Sequence, residues 1–484
     1  MLPRLVEAFS GLAPWRALRD VLPGRGERIA VGGLPGSSSA VLVAALARDF
    51  PQRVVLIVTS APPAAERWLS DLDVLLGGAV RMFPQREALG EEEPHFEIAG
   101  ERVETIAAVL VGKIQVVVTT LRATAELTRM PHAVARHRME VRTGEALPLG
   151  LLVDRLEAMG YERRPSVLDV AQYAVRGGII DVYGYGMASP TRLEWWGDEL
   201  TSIRGFDLDT QRSEGEVDAV TILPVAVSAA EAEGEAGLSD DAAVGPGDRE
   251  RQSLLDLLPT DTLVVVDRDV DEEDVRRVWV EAAHHIEVAS RRGEDVPGRE
   301  AVFHSPAAWQ ERWSGFAKLE LEREPVDHDF RFESPPAVDR KVSRLAQVVR
   351  AGPTLILCDN EGQLERLEEL LGGEGAAVAE LPATVTLALG SLGGGFVMRE
   401  LAVLTDHEIF RRARRIRRAR RYRQALTTAT AGALTPGDYV VHLEHGIGLY
   451  RGIETITLGE GATMEVAVLE YEGGDRLNVP LYRI

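Results

Sequence analysis

The chain's chemistry-bearing residues begin with an eight-residue turn, Gly33-Leu34-Pro35-Gly36-Ser37-Ser38-Ser39-Ala40. It lies between a predicted strand and a predicted helix, the position of a phosphate-binding loop. Such a loop needs small residues for close backbone approach, a Lys for the β- and γ-phosphates, and a Ser or Thr for Mg²⁺. Gly33 and Gly36 supply the small residues, but the Lys position is Ser39 and the metal-ligand position is Ala40. The spacing therefore predicts a turn that has lost ATP hydrolysis, with anion binding at the helix N-terminus as the chemistry left to it. Asp267-Arg268 closes a predicted buried strand, where loops of this kind are paired with two acids. Here the second acid is Arg. Both positions have lost their charge-handling groups, which points to a nucleotide-binding scaffold reused without its chemistry.

Other polar clusters are less complete. Thr405-Asp406-His407-Glu408 follows a predicted strand and has residue types for metal or acid-base work, but no second ligand cluster stands near it in sequence. Polar residues also commonly cap a strand end. Gly393-Gly394-Gly395 lacks the spacing of a dinucleotide fingerprint and reads as a loop. His284 and His285 fall on one predicted helix, where neighbours point about 100° apart. His442 and His445 flank a turn and read as structural. Arg411 to Arg423 carries nine arginines in thirteen residues. Ala413, Ile416, Ala419 and Tyr422 recur in it every three residues, as in a solvated helix linking two domains; phosphate binding is the alternative. No Ser-His-Asp set, Cys-His pair or zinc-knuckle spacing can be assembled, so neither a catalytic residue nor a metal ligand set is expected.

The elements that must position these residues follow from periodicity. Continuous apolar runs at Val54–Val58, Ile114–Thr119 and Thr262–Val266 predict strands buried on both faces. They alternate with helical spacing at Ser38–Asp49, Pro62–Leu76 and Val275–Ala289, the order of a parallel sheet covered by helices. A different unit interrupts this series. It begins with a helix, Leu151–Met159, ended by Gly160, and continues through short strands. Ser228 to Glu250 reads as a solvated insertion. Val342–Arg350, Thr354–Leu357, Gly362–Leu371 and Leu401–Leu404 form a further helix and strand series. From Thr435 the chain turns all-β, with Gly-rich turns between short strands, which suggests a small barrel or twisted sheet.

The domain reading is therefore 1–140 and 250–335 for the two parts of one α/β domain, 145–225 for the inserted α+β domain, 337–410 for a small α/β domain, 411–430 for an Arg-rich linker and 435–484 for the β-rich end. The totals agree: 484 residues, 45% apolar, one cysteine and a formal charge of −22. A lone Cys358 excludes an internal disulfide and fits a reducing cytoplasm. No run of about 18 apolar residues exists, so no membrane role is expected. The negative charge opposes non-specific nucleic-acid binding.

Within the inserted domain, Tyr173 to Arg212 predicts at least three strands. Alternation puts Arg192, Glu194 and Trp196 on one face and Leu193 and Trp195 on the other. One face is core. The other shows an Arg beside a Trp, types that dominate the energetic centres of interfaces.

These residues carry a resemblance to the bacterial transcription-repair coupling factors. It runs through nearly the whole chain and is strongest at Tyr173-Ala-Val-Arg-Gly-Gly-Ile-Ile-Asp-Val-Tyr183, Arg192 to Gln211, Leu401-Ala-Val-Leu-Thr-Asp-His-Glu-Ile-Phe410 and Asp438-Tyr-Val-Val-His-Leu-Glu-His-Gly-Ile-Gly448. The resemblance implies a multidomain α/β chain. A degenerate P-loop-like (UvrB-like) parallel-sheet domain holds the inserted α+β domain, followed by the small α/β domain and a C-terminal β-barrel or Tudor-like domain similar to CarD-type regulators. It implies a non-catalytic adaptor. The inserted domain would bind the damage-recognition ATPase UvrA through Arg176, Arg192 and Trp196, the last departing from the family's usual Phe. The β-rich end would bind the RNA polymerase β subunit through a short, otherwise polar strand at 454–458, with Ile456 the first contact and Asn478 on the neighbouring strand the second. ATP, Mg²⁺ and most DNA contact would belong to a translocase that this sequence lacks, so no cofactor is expected and the chain is expected to be part of a longer factor. Two other readings stay open: a CarD-like polymerase-binding regulator, and an active UvrB-type helicase, which the missing Lys disfavours.

Overall fold

The computed structural model describes residues 2–86, 96–208, 210–226, 251–292, 297–372, 385–399, 401–412, 414, 436–442, 446–457, 463–471 and 476–480. One compact unit comprises Met1–Pro94, Thr105–Arg129 and Glu250–Arg418. Its centre is a seven-stranded sheet in the order His328–Asp329, Arg28–Gly32, Ala317–Leu321, Leu263–Val266, Val55–Thr59, Val116–Thr120, Val80–Phe83. Every pairing in it is parallel. The middle strand, Leu263–Val266, comes from the far side of the interruption, so the sheet cannot be completed without the returning chain.

The physical basis is continuous apolarity. Every residue of Val55–Thr59, Val116–Thr120 and Leu263–Val266 is buried. Val55, Ile57, Val116, Val118, Leu263 and Val265 face a core shared with the helices Ser38–Asp49 and Pro62–Leu76. Each such side chain contributes about 1.5–3 kcal/mol through its burial. Pro62 starts its helix and Gly77, at φ 62°, ends it in the left-handed region. The strand Ala317–Leu321 escapes the apolar pattern because Lys318 and Glu320 alternate with leucines. Lys318 is nevertheless buried, its ammonium 5.3 Å from the Trp313 ring, and burial pushes its pKa down. The amphipathic spacing of Leu5 to Leu22 is carried by two helices, Leu2–Ser10 and Ala13–Arg19.

The same unit holds a four-stranded sheet ordered Val385–Leu389, Thr354–Cys358, Leu401–Thr405, Phe396–Met398. Its first three strands are parallel and Phe396–Met398 runs antiparallel. The helices Val342–Ala351 and Glu361–Gly372 bury Leu345, Val349, Leu367 and Leu371 against Ile356, Cys358 and Leu404.

The other compact unit comprises His95–Glu104, Met130–Arg249 and Ala419–Ile484. One sheet in it has six strands, ordered Ser213–Glu216, Glu199–Phe206, Thr191–Trp196, Ile179–Tyr183, Gln172–Arg176, Glu162–Arg163. Only the last pair is parallel. The helix Leu149–Ala158 buries Leu152 and Leu156 and is followed by Gly160 at φ 85°. Met139–Arg142 pairs with Ala219–Ile222, closing the start of this region onto its end.

A second sheet, at the C-terminal end, has four antiparallel strands: Tyr439–His442, Gly446–Thr457, Thr463–Glu470 and Arg476–Pro480. Tyr450, Ala467, Leu469 and Val479 form its core. Among the described residues no helix is long and apolar enough to cross a membrane.

Candidate functional site

The strand Thr191–Trp196 alternates buried and partly buried residues and ends on an exposed one. Leu193 and Trp195 point into the core, where the Trp195 indole donates to the Leu147 carbonyl at 2.6 Å. On the opposite face, register pairs Asp181 with Arg192, and links Arg176 through Ile179 to Glu194. Cross-strand partners share a face. Arg176, Arg192 and Trp196 are therefore brought together on one side of the sheet.

Their surroundings differ. Trp196 is 84% exposed. It is the last residue before the Gly197 turn, and its cross-strand partner is Glu199. An indole so bare is unusual, since tryptophans are well buried on average. Arg176 is also exposed, and its Nε donates to the Pro165 carbonyl at 3.4 Å. Arg192 is different. Its guanidinium grips the buried Asp181 carboxylate in a fork, 2.7 Å from Nε and 2.9 Å from Nη2, and lies 4.9 Å over the Phe206 ring. The bond to Asp181 raises the Arg192 pKa further. Such a bidentate pair is strong and directional. Arg192 thus anchors the strand that carries Trp196 as well as lining the face.

The turn at Gly33–Ala40 is filled by protein. The Ser37 amide donates to the Gly394 carbonyl at 3.0 Å, and the Gly394 amide returns a 3.0 Å bond to Ser37 Oγ. Ser37 Oγ donates to Asp71 at 2.6 Å, and the Gly393 amide donates to the same carboxylate at 2.8 Å. A Cβ on Gly36, at φ 59°, would stand 2.2 Å from the Gly395 carbonyl oxygen. The glycine triplet is a loop, as its sequence suggests, and it is seated in this turn. An incoming phosphate would meet a carboxylate and a carbonyl, so this end of the helix offers no anion cradle at Ser37. Burial pushes the Asp71 carboxyl up, opposed by the Arg414 guanidinium 2.8 Å away. Asp267 is likewise occupied, by the Trp68 indole at 3.0 Å and the Arg268 amide at 2.9 Å.

Arg414 corrects the reading of the arginine run. Arg411 pairs with Asp339, Arg412 with Asp406 at 2.6 Å, and Arg414 with Asp71. All three lie on non-helical chain; Arg412 and Arg414 reach the buried carboxylates of Asp406 and Asp71, and Arg411 reaches the half-buried Asp339. The rest of 411–430 lies outside the described residues. So do residues 228–250, His445 and the side chain of His442.

One constellation was not visible in sequence. His304 Nε2 lies 3.1 Å from both Ser253 Oγ and Asp256 Oδ2. The residue types are those of a hydrolase, but Ser253 and Asp256 form a capping box at the start of Leu254–Leu257, and Ser253 Oγ donates to Asp256 at 2.7 Å. The S-x-x-D spacing was the available signal, and it signals a helix start.

At the C-terminal sheet, 454–457 belongs to no short strand, and residue 458 lies outside the described residues. The segment 454–457 ends the twelve-residue strand Gly446–Thr457, which is bent near Gly452. Tyr439–His442 covers only Gly446 to Leu449, and Gly437 and Asp438 bond the Tyr450 backbone. Beyond Tyr450 the strand is paired on one side only among the described residues. The Ile456 backbone pairs with Met464; its side chain lies outside the described residues. Asn478 is exposed on Arg476–Pro480, the strand at the sheet's other edge, opposite Val468.

Comparison with known proteins places names on two of these regions. Residues 139–227 match the UvrB interaction domain, and residues 434–484 match the CarD-like/TRCF RID domain. The chain is 25% identical to the transcription-repair-coupling factor of Bacillus subtilis, and 24% and 22% identical to those of Staphylococcus epidermidis and Staphylococcus aureus. The alignments cover 93–94% of this chain and 44% of each relative. The chain thus spans less than half the length of the curated relatives it matches. Two domain matches and a likeness along almost the whole chain make this protein similar to the N-terminal half of a transcription-repair coupling factor.

Proposed function

We propose that the chain is the adaptor part of such a factor, joining RNA polymerase to UvrA. The observation that carries this reading is the bare Trp196 indole on a polar sheet face, inside the segment that matches the UvrB interaction domain. Trp and Arg are the residue types whose loss costs most at interface centres. Trp196 and Arg176 make the contact with UvrA, and Arg192 holds the strand and borders it. At the other end, the one-sided edge at 454–457 receives the polymerase β subunit by strand addition, which uses backbone donors and acceptors already in place. Ile456 gives that edge its apolar contact, and Asn478, on the opposite edge of the sheet, is a separate second contact.

In this reading the seven-stranded sheet is a UvrB-like scaffold whose nucleotide loop, with Gly33, Gly36, Ser39 and Ala40, is closed, so neither ATP nor Mg²⁺ acts there. The C-terminal sheet is the Tudor-like module. DNA is left to other parts of the factor.

A crossed binding experiment tests both ends. The whole chain carrying Trp196→Ala should lose UvrA affinity and keep polymerase binding, and Ile456→Arg should do the reverse. A chain that binds polymerase but never UvrA would instead be a CarD-like regulator. An ATPase abolished by changing Ser39 or Asp267 would restore the helicase reading.

A further inference from the structure

The parallel strands Thr354–Cys358 and Leu401–Thr405 end side by side, and the residues that follow them meet. The first strand delivers Asp359 and the second delivers Asp406 and His407. Ligand atoms of the three lie within 4.8 Å of one another. In open parallel sheets, ligands bind outside the carboxyl ends of strands. The local sequence showed only the second half of this group, because Asp359 stands alone after its own strand.

Among the described residues, two atoms in the group have no hydrogen-bond partner. Asp406 is fully buried and His407 is 6% exposed. Asp406 Oδ2 accepts from Arg412 at 2.6 Å and from the Asp359 amide at 3.4 Å, but Oδ1 accepts from nothing. His407 Nδ1 is equally unpartnered and lies 3.9 Å from that Oδ1. Neighbouring hydrogen bonds fix which ring nitrogen holds the proton. The Thr405 hydroxyl donates to Glu408 Oε2 at 2.5 Å, so toward His407 Nε2, 3.3 Å away, it can only accept. Nε2 therefore carries a hydrogen, and in the neutral ring Nδ1 presents a lone pair. In that ring two buried lone pairs face each other, an arrangement that is costly unless a proton or a metal ion lies between.

We propose that Asp359, Asp406 and His407 bind a divalent transition-metal ion between the ends of these two strands. A metal about 2.1 Å from each ligand atom in a tetrahedral set holds any two of them about 3.4 Å apart. Asp406 Oδ1 and His407 Nδ1, 3.9 Å apart, need only a small inward shift to reach this, and the exposed Asp359 side chain is free to close on the third position. An imidazole with two carboxylates suits Zn²⁺ or Mn²⁺ better than Ca²⁺ or Mg²⁺. The Thr405 contact to the distal ring nitrogen is the outer support that metal-bound histidines usually have. Glu408 is committed elsewhere, to Thr405 and to the Gly395 amide at 2.8 Å, and does not join the set. Three protein ligands leave at least one position for water or an external oxygen ligand. This site is independent of the adaptor reading.

The test is calorimetric titration of the tag-free, chelator-treated chain with Zn²⁺, and Mn²⁺ binding followed by electron paramagnetic resonance. One ion per chain is expected, with affinity falling at least tenfold in Asp359→Asn and in His407→Gln. Asp359 is exposed, so its variant decides the matter if His407→Gln fails to fold. Absence of one-per-chain binding of either ion, or affinity within threefold of the parent in Asp359→Asn, overturns the proposal.

Discussion

Two faces of this molecule resemble functional sites in sequence, and they have opposite fates. At the carboxyl edge of the seven-stranded sheet, the Gly33–Ala40 turn has the outline of a phosphate loop, yet Ser37, Asp71 and Asp267 are all bonded to protein. On the six-stranded sheet, nothing resembles an enzyme, yet Trp196 stands open. Motif outline and availability are separate properties. The first records what residue spacing permits, and the second depends on which donors and acceptors the fold has already consumed.

The contrast can be broken at several points. The largest effect is expected at Asp71. Its carboxylate accepts from Ser37, Gly393 and Arg414. Asp71→Ala should destabilise the parallel-sheet unit by on the order of 3–5 kcal/mol, read by chemical denaturation, because it leaves Arg414 uncompensated. UvrA affinity of the remaining folded protein should not change. Next comes Arg192→Ala, which strips a buried carboxylate of its fork. A loss of about 3 kcal/mol in stability is expected, with weaker UvrA binding alongside. Arg192→Lys should recover only part of it, since a point charge cannot reproduce two parallel bonds. Trp196→Ala should cost about 2 kcal/mol in UvrA affinity, measured by titration, while thermal stability stays within about 0.5 kcal/mol, as for other exposed positions. Unchanged affinity would remove the assigned face. The smallest effect sharpens the comparison most. Restoring the motif with Ser39→Lys and Ala40→Thr should still give no ATP binding or phosphate release, because the Gly393–Gly395 loop remains in the turn. Measurable turnover would show that the loop yields.

Much of the fold was legible because burial on both faces of a parallel strand writes an unbroken apolar run. Ser38–Asp49 and Pro62–Leu76 are bounded where their spacing, proline and glycine place them. Ala317–Leu321 was not legible, since Lys318 and Glu320 give it the alternation of a half-exposed strand. The polar face was readable from alternation, but the difference between a tethered Arg192 and a bare Trp196 was not. That difference depends on Asp181, which joins them only through sheet register. The glycine triplet was readable as a loop; its seat in the Gly33 turn, more than three hundred residues upstream, was not. Asp359 was missed for the same reason, being joined to Asp406 by strand pairing alone.

The place of Leu263–Val266 in the middle of its sheet has a consequence for synthesis. A ribosome delivers Arg28–Gly32, Val55–Thr59 and Val116–Thr120 first, then everything between Arg129 and residue 250, and only afterwards the strands that join the two halves. Until Leu263–Val266 has emerged, Val55–Thr59 presents an unpaired apolar edge to solvent, the kind of edge that promotes misassembly. The interrupting segment has its own sheet and can fold during that wait. Arrested nascent chains should therefore gain protease resistance in two steps, with the N-terminal residues protected last.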